Sequence, residues 1–317
     1  MKVIDISGLG HSGKTAVTDL LREIDGIHAH HNSFEFNLLR LPDGILDLQH
    51  ALCESWSPSR SDLAIKRFQE LCRSHGHYSD LINKKYDLYV SEFIKSLIEA
   101  TLYVDGWYDP IYNYKKYIPP KSRLQKLKDL VNPKQKKQEL ASRKSEVYIT
   151  DSKNFSQKAR QFLEKILLSE LPQKTTALIM NNAFEPFLPQ MSLNYFEDAY
   201  SVIVERDPRD IYASIVKVED TFVPQFETDD GLFTEEYLQQ LKEDFLGTAD
   251  IKTFIKRQKV YRKKMLFEKD HPRIVYVKYE DLVLKYDETV NVILTKVGIN
   301  PSLHTEKKQY FDPTKSE

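Results

Sequence analysis

Eight residues near the start of the chain carry its clearest chemistry: Gly8-Leu9-Gly10-His11-Ser12-Gly13-Lys14-Thr15. They follow Lys2-Val3-Ile4-Asp5-Ile6-Ser7, which reads as a strand, and precede Ala16–Arg22, where apolar residues recur at helical spacing. A glycine, four residues and then Gly-Lys-Thr between a strand and a helix is the pattern of a phosphate-binding loop. Its glycines let successive backbone N–H groups turn inward, and the new helix adds unpaired donors and a positive dipole end. Lys14 supplies a point charge and Thr15 a hydroxyl.

A second anion site is legible in Val202-Ile203-Val204-Glu205-Arg206-Asp207-Pro208-Arg209-Asp210-Ile211-Tyr212-Ala213-Ser214. A strand delivers Arg206 to its C-terminal edge, where Asp207 can cap and Pro208 can open the next helix. Ser214 then stands about two turns into that helix. A guanidinium fork suits phosphate and a serine hydroxyl adds a bond. A surface salt-bridge cluster is the other use of the same residues.

Strands are expected at 2–7, 27–31, 146–150, 175–180, 200–205 and 273–278, with helices at 156–169, 234–246 and 249–269. This alternation predicts an α/β fold: a P-loop-like, doubly wound parallel sheet of about five strands with helices on both faces. Residues 43–103 read as helical, from stripes such as Leu63-Ile65-Phe68-Leu71 and Val90-Phe93-Ile94-Leu97-Ile98. A single domain over 1–317 is expected, with a helical and Lys/Tyr-rich insertion at about 43–145. Within it, residues 115–144 hold eleven Lys/Arg against two acids, just after the aromatic run Tyr103, Trp107, Tyr108, Tyr112. Such a segment can bind an acceptor, touch an anionic membrane surface as a peripheral contact, or form a solvated helix.

Composition narrows the function classes. The net charge of −1 and pI near 6.8 argue against a dedicated nucleic-acid binder. A hydrophobic content of 41% excludes wholesale disorder. Cys53 and Cys72 fit no metal spacing and point to a reducing compartment. His28, His30 and His31 alternate across a strand with no distant partner pair, so no metal is expected. No membrane span or leader is evident, and a cytoplasmic location is expected.

On three anchors spread over residues 5 to 283 the sequence resembles the sulfotransferase superfamily, in its bacterial carbohydrate-directed or general form. Gly10-His11-Ser12-Gly13-Lys14-Thr15 resembles the family's loop for the 5′-phosphosulfate. Arg206-Asp207-Pro208-Arg209-Asp210 with Ser214 resembles its arm for the 3′-phosphate, and Val277–Val283 its late strand-to-helix segment. Asp151-Ser152-Lys153 is similar to a recurrent segment of bacterial members.

The resemblance implies transfer of a sulfonate from 3′-phosphoadenosine 5′-phosphosulfate (PAPS) to an acceptor hydroxyl or amine, leaving 3′,5′-adenosine bisphosphate (PAP). The aromatic and Lys-rich insertion, with the bacterial look of the motifs, points to a glycan or glycolipid acceptor, with a small metabolite as the alternative. The catalytic cation would be Lys14 or His11, because His11 stands where the family usually has Lys or Arg and Lys14 where it has Thr or Ser. The base would be Glu35, in an apolar frame of Phe34 and Phe36 expected to raise its pKa, or else His30 or His31. Lys153 would bind the acceptor or the sulfonate, or else form a structural ion pair. The family's C-terminal glycine-rich loop has no counterpart before Glu317. Two other readings stay open: a P-loop kinase or NTPase using ATP and Mg²⁺, with Asp151 ordering the metal, and a non-catalytic nucleotide-binding protein. Oligomeric state is not legible.

Overall fold

The computed structural model describes residues 1–30, 35–105, 144–215, 251–266 and 270–315. The basic run at 115–143, the helix expected at 234–246, and His31 and Phe34 lie outside the described residues.

Strand β1 (Lys2–Gly8) runs through the loop into helix α1 (Lys14–Arg22), and β2 (Ile27–Ala29) follows. After these come α2 (Ile45–Gln49), α3 (Pro58–Ser74), α4 (Tyr78–Leu81), α5 (Tyr86–Leu97), β3 (Ile98–Asp105), β4 (Lys144–Thr150) and α6 (Phe155–Leu168). The chain continues with β5 (Ala177–Asn181), α7 (Pro189–Leu193), β6 (Asp198–Glu205) and a helix over 208–215, α8. It ends with α9 (Ile251–Met265), β7 (Ile274–Lys278), α10 (Tyr279–Leu284) and α11 (Tyr286–Lys296).

The fold is α/β, with a five-stranded parallel sheet in the order β2-β5-β1-β6-β7 flanked by helices. β1 lies at its centre, with Ile4 opposite Ile179 on one side and Tyr200 on the other. Its run of buried residues is what a strand covered on both faces requires. Ile4 and Ile6 of β1 join Val17, Leu20 and Leu21 of α1, and Val290, Ile293 and Leu294 of α11, in one apolar layer. That layer fixes the start of α1 against the end of β1, so the loop between them has little freedom. The other edge of α1 is tied to the C-terminal segment. Buried Glu23 accepts the N–H groups of Lys308 (2.9 Å), Tyr310 (2.9 Å) and Phe311 (2.8 Å), and lies 2.8 Å from His304 Nε2. Burial alone would raise the Glu23 pKa, but these bonds outweigh it and hold the carboxyl below its ordinary value.

Two expectations are corrected. The strand at 146–150 is not a member of the parallel sheet: β4 pairs antiparallel with β3 in a separate two-stranded sheet. Its β-branched and aromatic run signals a strand but says nothing about its partner. Asp151, which follows it, therefore does not follow a strand beside β1, as the kinase reading needs. Residues 98–105 are that partner strand, not the end of a helix. Ile98, Leu102 and Val104 continue the apolar spacing of α5 closely enough to hide the change of period.

The chain divides into two compact units, Met1–Leu41 with Leu167–Glu317, and Pro42–Ile166. The second is held by a Phe93–Phe162 stack at 4.5 Å and by buried Asp62 of α3, which accepts the Tyr148 N–H (2.8 Å) and pairs with Lys66 (2.9 Å). Asn83 donates its amide to the Lys165 carbonyl (2.9 Å). Among the described residues no helix is long and apolar enough to cross a membrane.

Candidate functional site

The phosphate loop is shaped by backbone that only some residues adopt. Gly13, the residue before α1, has φ of 91°, and a Cβ on it would collide with the Tyr279 ring. Tyr279 opens α10 at the end of β7, so the glycine is needed both for the turn and for that close approach. His11 also has positive φ, at 61°. It tolerates this region better than a β-branched residue would. Gly10 faces open space, and Thr15 is exposed on the first turn of α1. No acid and no side-chain cap occupies that helix start, which leaves its donors and dipole for an anion.

Lys14 turns back over the loop. Its ammonium donates to the carbonyls of Leu9 (3.0 Å) and Gly8 (3.3 Å). Burial, aided by Arg40 and opposed by Glu35 and Asp5, lowers its pKa to about 8, so it remains largely a cation at pH 7. Beneath the loop, Asp5 is fully buried in β1, bonded to the Ser7 hydroxyl and accepting the Ala183 N–H at 2.7 Å. Burial outweighs those bonds and raises its pKa to about 7.

β6 lies beside β1, and its C-terminal edge brings Arg206 and the helix after it against the Gly8–Thr15 loop. His11 Nδ1 is 3.1 Å from the Ser214 hydroxyl, and Arg206 Nη1 stands 3.5 Å from the His11 carbonyl. The Arg206 guanidinium lies 4.7 Å over the Tyr279 ring, so one tyrosine packs against both the loop glycine and the arm's arginine. Burial, and then Lys14 and Arg206, lower the pKa of His11 and favour its neutral form. Asp207 caps α8 with a 2.8 Å bond from the Arg209 N–H, while its own N–H is held by Glu280 at 2.6 Å. The Arg209 side chain bonds both Asp207 oxygens and holds that carboxyl at about 2. Pro208 opens the helix as the sequence predicts.

The other expected residues are placed as follows. Glu35, whose expected neighbour Phe34 lies outside the described residues, has polar partners: Asn182 donates to its Oε1 at 2.6 Å, and Arg40 stands 3.5 Å from Oε2. The sequence could not show this, because Asn182 arrives from the end of β5. His30 packs edge-on to His28 with ring centres 5.1 Å apart, and burial with that neighbour lowers its pKa to about 4. Lys153 belongs to the second unit, in an exposed turn where its N–H is held by Asp151 at 2.9 Å.

No protein-family model and no curated protein matches the chain. A solved sulfotransferase domain from the Synechococcus PCC 7002 olefin synthase is similar to it. The identity is 12% and the TM-score 0.41, over all of this chain and 78% of that one. A likeness of that degree decides nothing about this chain.

A cavity of about 470 Å³ adjoins the loop. The backbone of Gly8, Leu9 and Gly10 forms one side, and Arg40, Glu185, Phe187, Arg257, Gln258 and Tyr261 contribute others. Phe187 and Tyr261 meet edge to face at 5.4 Å. These residues, Asn182 and Asp5 were not singled out by sequence. The Asn-Asn-Ala-Phe-Glu-Pro-Phe run after β5 reads only as a loop, and α9 reads only as a basic amphipathic helix.

Proposed function

We propose that the chain is a PAPS-dependent sulfotransferase acting on an acceptor hydroxyl, with a glycan or glycolipid acceptor in keeping with its aromatic and basic insertion. One observation carries the reading: the loop and the Arg206–Ser214 arm meet at His11, which lies 3.1 Å from Ser214 and 3.5 Å from Arg206, residues 203 and 195 positions away in sequence. A single phosphate needs one cradle. Two that adjoin suit a nucleotide with anionic groups at both its 5′ and 3′ positions.

The residues fit such a ligand on their own chemistry. Arg206 Nε and the Ser12 hydroxyl are buried without hydrogen-bond partners, and unmet polar atoms of this kind call for a ligand or water. Loop N–H groups, Lys14 and Thr15 would hold the 5′ end, and Arg206 with Ser214 the 3′-phosphate. PAPS supplies the activated sulfonate. The protein's part is to hold fixed donors where negative charge grows as the sulfonate leaves. Lys14 and the start of α1 would supply those donors, and preorganised donors need no reorganisation during reaction. His11, with its Nδ1 on Ser214, links the two cradles.

Calorimetric titration with PAP tests this reading. Arg206→Ala is expected to weaken binding about 10- to 100-fold, the range for losing charge-assisted hydrogen bonds. A change of less than threefold would remove the basis for the second cradle.

A further inference from the structure

The proton acceptor of the reaction is the part of the site that the expected residues serve least well. Both oxygens of Glu35 are engaged, Oε1 by Asn182 at 2.6 Å and Oε2 by Arg40 at 3.5 Å. A carboxylate that must take a proton needs an oxygen open to the acceptor. The cavity beside the loop offers a different one. Glu185 is the one carboxylate among the described residues that line it, and the backbone of Gly8, Leu9 and Gly10 lines the same space. Leu188 N–H closes a turn on the Glu185 carbonyl (3.1 Å), with Pro186 buried behind it, so the residue stands on fixed backbone. Phe187 and Tyr261 also line the cavity, as does Gln258, which is only 5% exposed and has a buried Oε1 with no hydrogen-bond partner.

We propose that this cavity receives the hydroxyl-bearing end of the acceptor and that the Glu185 carboxylate takes its proton. The assignment rests on the sulfotransferase reading and deepens it. As the acceptor oxygen bonds to sulfur, its proton passes to Glu185. The bond from sulfur to the bridging oxygen breaks, and its electron pair stays on the 5′-phosphate oxygen of PAP. The sulfated acceptor and PAP leave, and Glu185 returns its proton to solvent. Nothing is oxidised or reduced. Gln258 would accept a second hydroxyl of the acceptor, and the paired rings of Phe187 and Tyr261 would form one apolar wall for a sugar or phenol ring. The half-buried setting supports a base: burial raises the Glu185 pKa above its ordinary value, against the pull of Arg40 and a bond from the Phe187 backbone.

Water is the smallest hydroxyl that can enter the cavity, so slow hydrolysis of PAPS to PAP and sulfate tests the base without a known acceptor. PAP release would be followed for the full chain, Glu185→Gln and Glu35→Gln across pH 4 to 9, with PAP affinity measured in parallel. The wild-type rate is expected to rise with pH along a limb lying above the ordinary glutamate value. Glu185→Gln should lose that limb and about 10²-fold or more of the rate, with PAP affinity within twofold. Glu35→Gln should keep the limb. The proposal fails if Glu185→Gln hydrolyses PAPS within threefold of wild type, or if PAP binds yet the wild-type rate does not exceed the uncatalysed one. Failure of PAP to bind the wild-type protein would instead bring down the sulfotransferase reading itself.

Discussion

Lys14→Ala is expected to slow PAPS turnover by about 10²- to 10³-fold, the usual cost of removing one preorganised donor at a site of growing negative charge. The ammonium rests on the carbonyls of Gly8 and Leu9, within the loop that would hold the 5′ end. It is largely charged at pH 7 despite its burial, because Glu35 and Asp5 oppose the desolvation that lowers its pKa to about 8. Its removal should weaken PAP less than it slows turnover, since the charge it meets is greatest when the sulfonate is in flight. His11→Ala provides the comparison. Its ring is held toward the neutral form and faces Ser214, so it should cost binding more than rate. PAP release by stopped assay measures both variants. If His11→Ala costs more turnover than Lys14→Ala, the cation has been assigned to the wrong residue.

Gly13→Ala is the second large effect. At φ of 91° a side chain is strained, and its Cβ would drive into the Tyr279 ring. That ring also carries the Arg206 guanidinium at 4.7 Å, so displacing it disturbs both cradles at once. A stability loss of about 2–4 kcal/mol is expected, which for a chain of this size lowers Tm by roughly 5–12 °C. PAP affinity should fall at least tenfold at a temperature where the variant remains folded. Gly10→Ala is the control: a Cβ there would meet nothing within 4 Å, and it should change Tm by less than 2 °C, about 0.5 kcal/mol. Equal behaviour of the two variants in thermal unfolding and titration would contradict the loop geometry.

What the sequence revealed and what it hid divide along a physical line. The strand–loop–helix of residues 2–22, the Asp207–Pro208 helix start and five of the expected strands are local patterns: each is written in a few adjacent residues, and the structure carries these elements where expected. Partnerships across the chain are not local. The run Val147–Thr150 announces a strand, but its pairing with 98–105 depends on a segment whose own period is masked by α5. Asn182 reaches Glu35 from the end of β5, a contact that no local run of residues announces. Glu185 sits in a loop with no motif, and only the return of that loop beside Gly8–Gly10 gives it a cavity to face. Tyr279 lies within Val277–Val283, a run legible in the sequence, yet its contact with Gly13 needs β7 and β1 in one sheet, with β6 between them.

The central claim is that two adjoining cradles hold opposite ends of one bisphosphorylated adenosine. The most direct measurement is calorimetric titration of the full chain with PAP and with adenosine 5′-phosphate under the same salt. The account predicts that PAP binds at least 30-fold more tightly, about 2 kcal/mol for the charge-assisted bonds of one added phosphate, and that Arg206→Ala removes most of that difference. Equal affinity for the two nucleotides in the wild-type protein would contradict it.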